Sequence, residues 1–238
     1  MIVVRELKDP SDPAIQGFGR MQTTAYFAPE MLIPAGYIPR LLTDTQRNHL
    51  VVAEKDDRVV GGTLFHYLAD AGSGFSSFMG VDRAVRGRGI GRRLHDERFR
   101  VLDRAAGGRV PGVFIDVVNP LRMSKTDLER DHQAGFDPRK RRRAFAHLGF
   151  RQVDIEYQQP VGGPNGGPVT DLDLLYCPHD PSETVPTAFV AATMRAYWSG
   201  WLGQAAGRYV DQLEARAHGR KDLALIWPEP PRLTPSAG

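Results

Sequence analysis

Cysteine is nearly absent: Cys177 stands alone among 238 residues, which excludes an intramolecular disulfide framework and any cysteine-rich zinc site and fits a reducing cytoplasm. Seven histidines are present, but no His-x-x-x-His with Glu occurs, so no metal is expected. No apolar run reaches the ~20 residues that span a bilayer, and the amino terminus, Met-Ile-Val-Val-Arg-Glu-Leu-Lys, has no long apolar stretch of the secretory kind. An excess of one charge is missing too, since 31 basic against 28 acidic residues leave a formal net charge of +3. The expectation is a soluble cytoplasmic protein. What remains, 41% hydrophobic and 25% charged residues, is the composition of an ordinary globular chain long enough to bury a core.

What is present is concentrated from Val81 to Gly91, the run Val-Asp-Arg-Ala-Val-Arg-Gly-Arg-Gly-Ile-Gly. It joins an apolar segment to an amphipathic helix through a turn rich in glycine and arginine. Glycines at 87, 89 and 91 place no Cβ between an anion and the main chain, and the free N–H groups of a first helical turn can converge on one phosphate. Arg86, Arg88, Arg92 and Arg93 surround the turn with positive charge, to which the helix dipole adds about half a unit. The plain alternative is a strand-to-helix turn with a solvated basic rim. A Walker A loop is excluded because no Lys-Ser or Lys-Thr follows these glycines. A dinucleotide fingerprint is excluded because the spacing is Gly-x-Gly-x-Gly.

Hydrophobic patterning places strands at Ile2 to Leu7, Leu50 to Glu54, Val59 to Leu68, Phe75 to Val81 and Val113 to Val118, and helices at Ala14 to Tyr26, Gly36 to His49 and, after the glycine turn, Ile90 to Ala105. Leu121 to Pro138 reads as a polar surface insertion or a lid without a core element. Arg139 to Leu148 returns to helix, Phe150 to Tyr157 and Thr170 to Cys177 alternate as strands, and Pro160 to Pro168 is a hairpin tip. From Pro186 to about His218 one long helix carries an apolar stripe that includes Val190, Met194, Trp198 and Leu213. That stripe packs either on the chain's own sheet or on a second copy, as a homodimer. A Pro-rich tail with Pro228, Pro230, Pro231 and Pro235 follows.

Arg86, Gly89 and Gly91, preceded by a strand ending at Val81, match Arg/Gln-x-x-Gly-x-Gly/Ala. A second segment, Ala-Phe-Ala-His-Leu-Gly-Phe from 144 to 150, is similar to a helix-to-strand passage of the form Ala-x-x-x-Tyr-x-x-x-Gly-Phe. In these two motifs, and in its order of elements, the chain resembles the GNAT superfamily of acyl-CoA-dependent N-acyltransferases over roughly residues 1 to 178. The resemblance implies an α+β fold, with a mixed, mostly antiparallel central sheet flanked by helices. It divides the chain into an acyltransferase domain at 1–180 and a C-terminal helical extension at 181–238. It also implies that Met79, Gly80 and Val81 line a pantetheine arm and that Arg86, Gly87, Arg88, Gly89, Ile90, Gly91 and Arg92 hold the phosphates of acetyl-CoA, the expected co-substrate. Asn119 matches a polar residue often found after the fifth strand. The chain departs from the family at Phe145, where many members carry a tyrosine that protonates the leaving thiolate; His147 and Tyr157 are the nearby substitutes.

The chemistry asks for more. An amine attacks a thioester only when neutral, and a lysine-like amine has a pKa of about 10.4. Glu54 and Asp116 are carboxylates at strand positions where an amine could be deprotonated, and Asp116, between Ile115 and Val117, has the surroundings that raise a carboxyl pKa. A carboxylate held by neighbouring loops is the structural alternative for Asp116. Direct transfer to the amine is expected over a covalent intermediate on Cys177. The basic run Arg139 to Arg143 reads as a solvated helix face, or, by the resemblance, as a neighbour of the nucleotide 3′-phosphate, in preference to a nucleic-acid surface. The expected function is N-acetyl transfer to a primary amine of a small molecule or peptide; the alternative is a non-catalytic acyl-CoA-binding module. Tyr26, Phe27, Tyr37, Arg40, Asp127, Glu129 and Asp131 lie in the segments expected to shape the acceptor site and favour no single acceptor.

Overall fold

Alternating apolar residues near the amino terminus build an antiparallel meander of four strands, β1 (Ile2–Leu7), β2 (Asn48–Lys55), β3 (Arg58–Leu68) and β4 (Ser73–Val81). In this computed structural model, which describes residues 1–25, 32–133, 136–163 and 166–228, each of these strands pairs with the next. The β2–β3 hairpin turns on Asp56 and Asp57, with φ of 50° and 57°. Aspartate tolerates that left-handed region better than most residues. β5 (Gly112–Val118) then runs parallel to β4, as a crossover through the long helix α3 (Ile90–Ala106) permits. β6 (Arg151–Val153), β7 (Leu172–Pro178), β8 (Thr184–Pro186) and β9 (Asp222–Ile226) complete the order β1-β2-β3-β4-β5-β7-β6-β9-β8. The sheet is mixed and mostly antiparallel, as expected.

Helices cover both faces. α1 (Ala14–Ala25) lays Phe18, Met21 and Ala25 on Leu64 and Phe78. On the opposite face α3 sets Leu94, Val101 and Leu102 against Phe65, Val113 and Ile115. α5 (Pro138–His147) adds Phe145 to that layer and is N-capped by Asp137, whose carboxylate accepts from the N–H groups of Arg139 and Lys140.

Several expected elements differ. The helix foreseen from Gly36 to His49 is the single turn α2 (Ile38–Leu41). Asp44 stops it by accepting from the N–H of Arg47, and Asn48 and His49 pair with His66 and Phe65 of β3, so strand pairing outweighs local propensity. Within Leu121 to Pro138 lies a true helix, α4 (Lys125–Gln133), capped reciprocally by Ser124 and Asp127. It buries no residue, so no apolar stripe marks it. The strand foreseen to Tyr157 shortens to β6, although Ile155 and Tyr157 still enter the core. The long C-terminal helix is two, α6 (Thr187–Leu202) and α7 (Ala206–Arg216), broken at Gly203, whose φ of 56° and ψ of −133° no other residue adopts easily. Its stripe, including Val190, Met194, Trp198 and Leu213, packs on Phe75, Phe114 and Leu174 of the chain's own sheet. The tail prolines at 230, 231 and 235, like Tyr26 and Phe27, lie outside the described residues.

The basic run on α5 is not one solvated face. Arg142 is buried, and its guanidinium pairs at 2.8 Å with Asp173 of β7, which is also buried and holds Arg122 at 2.7 Å. Arg142 also donates to the Pro228 carbonyl, tying the C-terminal segment to α5. Arg142→Met leaves that carboxylate half-compensated, and we expect a loss of about 3 kcal/mol in urea unfolding. Pairing it with Asp173→Leu should recover most of the loss, because a buried ion pair is costly chiefly when broken on one side.

Candidate active site

Two strands that begin side by side and then separate create the site. β4 and β5 pair only at Gly74↔Val113 and Phe75↔Phe114. Beyond that point β4 carries a bulge: Leu64 faces Phe78 and Phe65 faces Ser76, leaving Ser77 as the extra residue. A bulge bends its strand, and here β4 leaves β5, opening a seam between Ser76–Val81 and Ile115–Val118.

At the wide end of the seam the chain makes the glycine turn. Asp82 accepts from the Ala84 N–H and starts one 3₁₀ turn at Arg83–Val85; Gly87 and Gly89 then take φ of 77° and 74° into α3. A Cβ at either glycine would meet nothing within 4 Å. Backbone conformation, not crowding, therefore requires glycine at both. Gly89, the N-cap of α3, supplies no side-chain cap, and the first turn holds no acidic residue. The leading N–H groups of a seventeen-residue helix are thereby left for an anion.

Seam and turn open into one groove of about 520 Å³. Met79, Gly80, Val81, Arg86, Gly87, Gly89, Ile90 and Gly91 line one side, as expected from the sequence, and Val118, Phe136, Lys140, Arg141 and Phe145 line the other. The side chain of Arg86 folds back, donating to the Val81 carbonyl at 3.0 Å, so it braces the turn. Arg88 and Arg92 are exposed outside the groove lining, and Arg92 reaches the His147 carbonyl and Asp96. Asn119 is not brought to the groove. It closes the end of β5, donating to Asp173 at 2.9 Å and accepting from the Leu121 N–H at 3.0 Å. Most of the far wall falls in segments that the sequence singled out, Phe145, the possible lid at Leu121 to Pro138 and the basic run with Lys140 and Arg141, whereas Val118 was read only as the end of a strand.

The candidate catalytic residues separate clearly. Asp116 stands on β5 two residues before Val118, on the same strand face, and is partly buried; it is not among the residues that line the groove. Tyr157 donates its hydroxyl to Asp116 Oδ2 at 3.1 Å. Desolvation raises the Asp116 carboxyl above the ordinary carboxylate range, opposed by the Tyr157 hydrogen bond. Burial, then the nearby carboxylate, pushes the Tyr157 phenol well up. Tyr157 is fully buried and so acts on a substrate only through Asp116. Glu54 is elsewhere: Arg5 holds it at 2.7 Å, and it lines a separate hollow with Asp56 and Arg58 at the β1–β2 edge. Phe145 brings a ring to the groove without a hydroxyl, and His147 is exposed with Nδ1 at 2.7 Å from its own helix's Arg143 carbonyl. Cys177 is buried on the α3 side, and desolvation pushes its thiol up to about 11, an unreactive setting. Among the described residues no group of three or more His, Cys, Asp or Glu could hold a metal, and no helix is long and apolar enough to cross a membrane.

Residues 46–152 match the family model described as an acetyltransferase (GNAT) domain. Similar solved structures include an acetyltransferase of the GNAT family from Staphylococcus aureus, 13% identical over 76% of this chain and 100% of that one, with a TM-score of 0.52. A GNAT-family protein from Bacteroides thetaiotaomicron is 16% identical over 76% and 89% of the two chains at a TM-score of 0.51. Another, from Desulfovibrio desulfuricans, is 18% identical over 75% and 99% at 0.50. Likeness at these identities speaks for the fold. No curated protein matches the chain.

Proposed function

We propose that this chain, which matches a GNAT acetyltransferase family model over residues 46–152, moves the acetyl group of acetyl-CoA to a primary amine by direct attack in a ternary complex. The observation that carries the reading is the seam itself: β4 and β5 diverge beneath an uncapped helix N-terminus, and a partly buried carboxylate, Asp116, stands on β5 two residues from Val118 of the groove.

The residues divide the work. N–H groups of the Gly87–Gly91 turn neutralise a diphosphate, aided by the helix dipole. The seam-facing edge of β4 from Met79 to Val81 offers main-chain groups to the pantetheine arm and aims the thioester down the seam. A main-chain N–H on the diverging stretch of β4, beyond Phe75, would meet the developing oxyanion. Asp116 takes a proton from the substrate ammonium. The freed nitrogen lone pair attacks the thioester carbonyl carbon; the C–N bond forms, the C–S bond breaks with its electron pair on sulfur, the attacking nitrogen passes its surplus proton to the thiolate, and the proton that Asp116 received leaves to solvent. Each product is then neutral at the reacting atoms. Positioning supplies much of the remaining acceleration.

Thiol release from acetyl-CoA, measured with a panel of primary amines, tests the reading. Amine-dependent release is expected. One observation favours a second reading, a non-catalytic acyl-CoA-binding module: Phe145 gives the groove no hydroxyl at the position of the family's acid. Tight acetyl-CoA binding without release on any amine would establish that reading instead.

A further inference from the structure

Directly behind the β4 side of the groove a cation is buried without an anion. Arg98 of α3 is 0% exposed. Gly91, His95 and Arg98 share one face of that helix, and the Met79 side chain, part of the groove lining, reaches both ends of it: Sδ is 3.8 Å from Arg98 Nη1, and Cε is 3.9 Å from the point where Gly91 would carry a Cβ. The same Nη1 donates at 3.0 Å to Oγ of Ser76, the first residue of β4 beyond its pairing with β5. The guanidinium carbon also lies 5.3 Å from the ring centroid of Phe150, which meets Phe145 of the far wall edge-on at 5.6 Å. The cation therefore underlies the point where the seam opens.

Every acceptor it has is neutral. Nη2 donates to His95 Nδ1; burial lowers the His95 pKa to about 2, so the ring is uncharged and its hydrogen sits on Nε2, toward Cys177. Cys177 stays a thiol, since desolvation pushes it up to about 11. Among the described residues Nε of Arg98 has no partner and no carboxylate pairs with the guanidinium. Burial lowers the Arg98 pKa only to about 10, so it remains a cation near neutral pH. Asp116 looks the other way: its neighbours Ile115 and Val117 pack on the α3 side, and Asp116 alternates to the Tyr157 side of the sheet. A buried charge is ordinarily paired, because desolvation is costly. A partner that relieved the cost here would also cancel the field that the charge casts into the seam.

We propose that Arg98 supplies an uncancelled positive field that stabilises negative charge on the sulfur of acetyl-CoA as the C–S bond breaks, the part that a hydroxyl at Phe145 would otherwise play. The inference rests on the acetyl-transfer reading above and deepens it. Phe145 offers the sulfur no proton; with the cation behind Met79, the thiolate departs as an anion and takes the attacking nitrogen's proton afterwards. Arg98 touches no reacting atom and is a positioning residue. It fixes the potential at the sulfur through a medium where a charge reaches further than in water.

Arg98→Met removes the charge at similar length, and Arg98→Gln removes it while keeping an N–H for Ser76. The thiol of bound coenzyme A is titrated by thiolate absorbance in the wild type and both variants, against complexes with desulfo-coenzyme A that cancel the signal of Cys177. In the wild type the bound thiol should ionise below the pKa of free coenzyme A. Both variants should raise it by about one unit, a tenfold shift, as a unit charge does across roughly 10 Å at an effective dielectric of about 20. Single-turnover acetyl transfer should slow about tenfold in both, and urea unfolding should show Arg98→Met no less stable than the wild type. If Arg98→Met does not fold, Arg98→Gln decides. A bound thiol that titrates alike in wild type and variants, or no lower in the wild type than in free coenzyme A, would overturn the inference and leave acetyl transfer standing. The expected thiol shift without transfer to any amine would support the field and overturn the transfer reading alone. Failure of the wild type to bind coenzyme A would overturn both.

Discussion

Gly89→Glu should lower the affinity for coenzyme A by about two orders of magnitude, read by calorimetry. Two effects combine. The φ of 74° at Gly89 lies where an ordinary L-residue pays roughly 1–2 kcal/mol, which distorts the turn that presents the N–H groups. A carboxylate at the N-cap also offers those groups an internal anion, competing with a diphosphate and repelling it. Open space around the Cβ position means that the variant can fold, so the loss is one of binding. Gly89→Asn separates the two causes: asparagine tolerates the left-handed region and carries no charge, and its loss should stay within about tenfold. Equal affinity in wild type and Gly89→Glu would remove the anion site from the proposal altogether.

How far the sequence reveals this molecule depends on the range of the interactions involved. The glycine turn is legible because its cause is local: Gly87 and Gly89 are glycines for their own φ, and Ile90, Leu94, Val101 and Leu102 mark α3 at helical spacing. The divergence of β4 and β5 is less so. It needs the Ser77 bulge, which exists only in the register between β3 and β4. α4 escapes hydrophobic patterning because it buries nothing, and the break at Gly203 escapes it because the stripe continues on α7. Asn119 and Glu54 show the same limit for chemistry. Their residue types suit a site, but Asp173 holds the first and Arg5 the second, and both partners are distant in sequence. Tyr197, on α6, stacks on Phe75 of β4, a placement that no local pattern encodes.

The largest effect on turnover is expected at Asp116. Its carboxyl serves only when ionised, and burial raises its pKa, so kcat/KM should rise with pH along a limb displaced above the ordinary carboxylate range and fall as the group protonates. Asp116→Asn keeps the shape and cannot accept a proton; kcat should drop by about 10²-fold to 10³-fold, and the limb should disappear. Water reaching the half-buried position would account for the residual rate. Tyr157 supplies the internal control. Its hydroxyl bond to Oδ2 stabilises the ionised carboxylate and opposes the rise caused by burial. Tyr157→Phe should therefore move the limb to higher pH while the plateau at still higher pH stays within a few-fold, near what one lost hydrogen bond of about 1 kcal/mol allows. A carboxylate that was merely structural would give the opposite pattern, a pH profile indifferent to Tyr157 with any lost activity following lost stability. Both variants measured at matched folded fractions, across the acid limb, distinguish a base on β5 beside the groove from a bystander there.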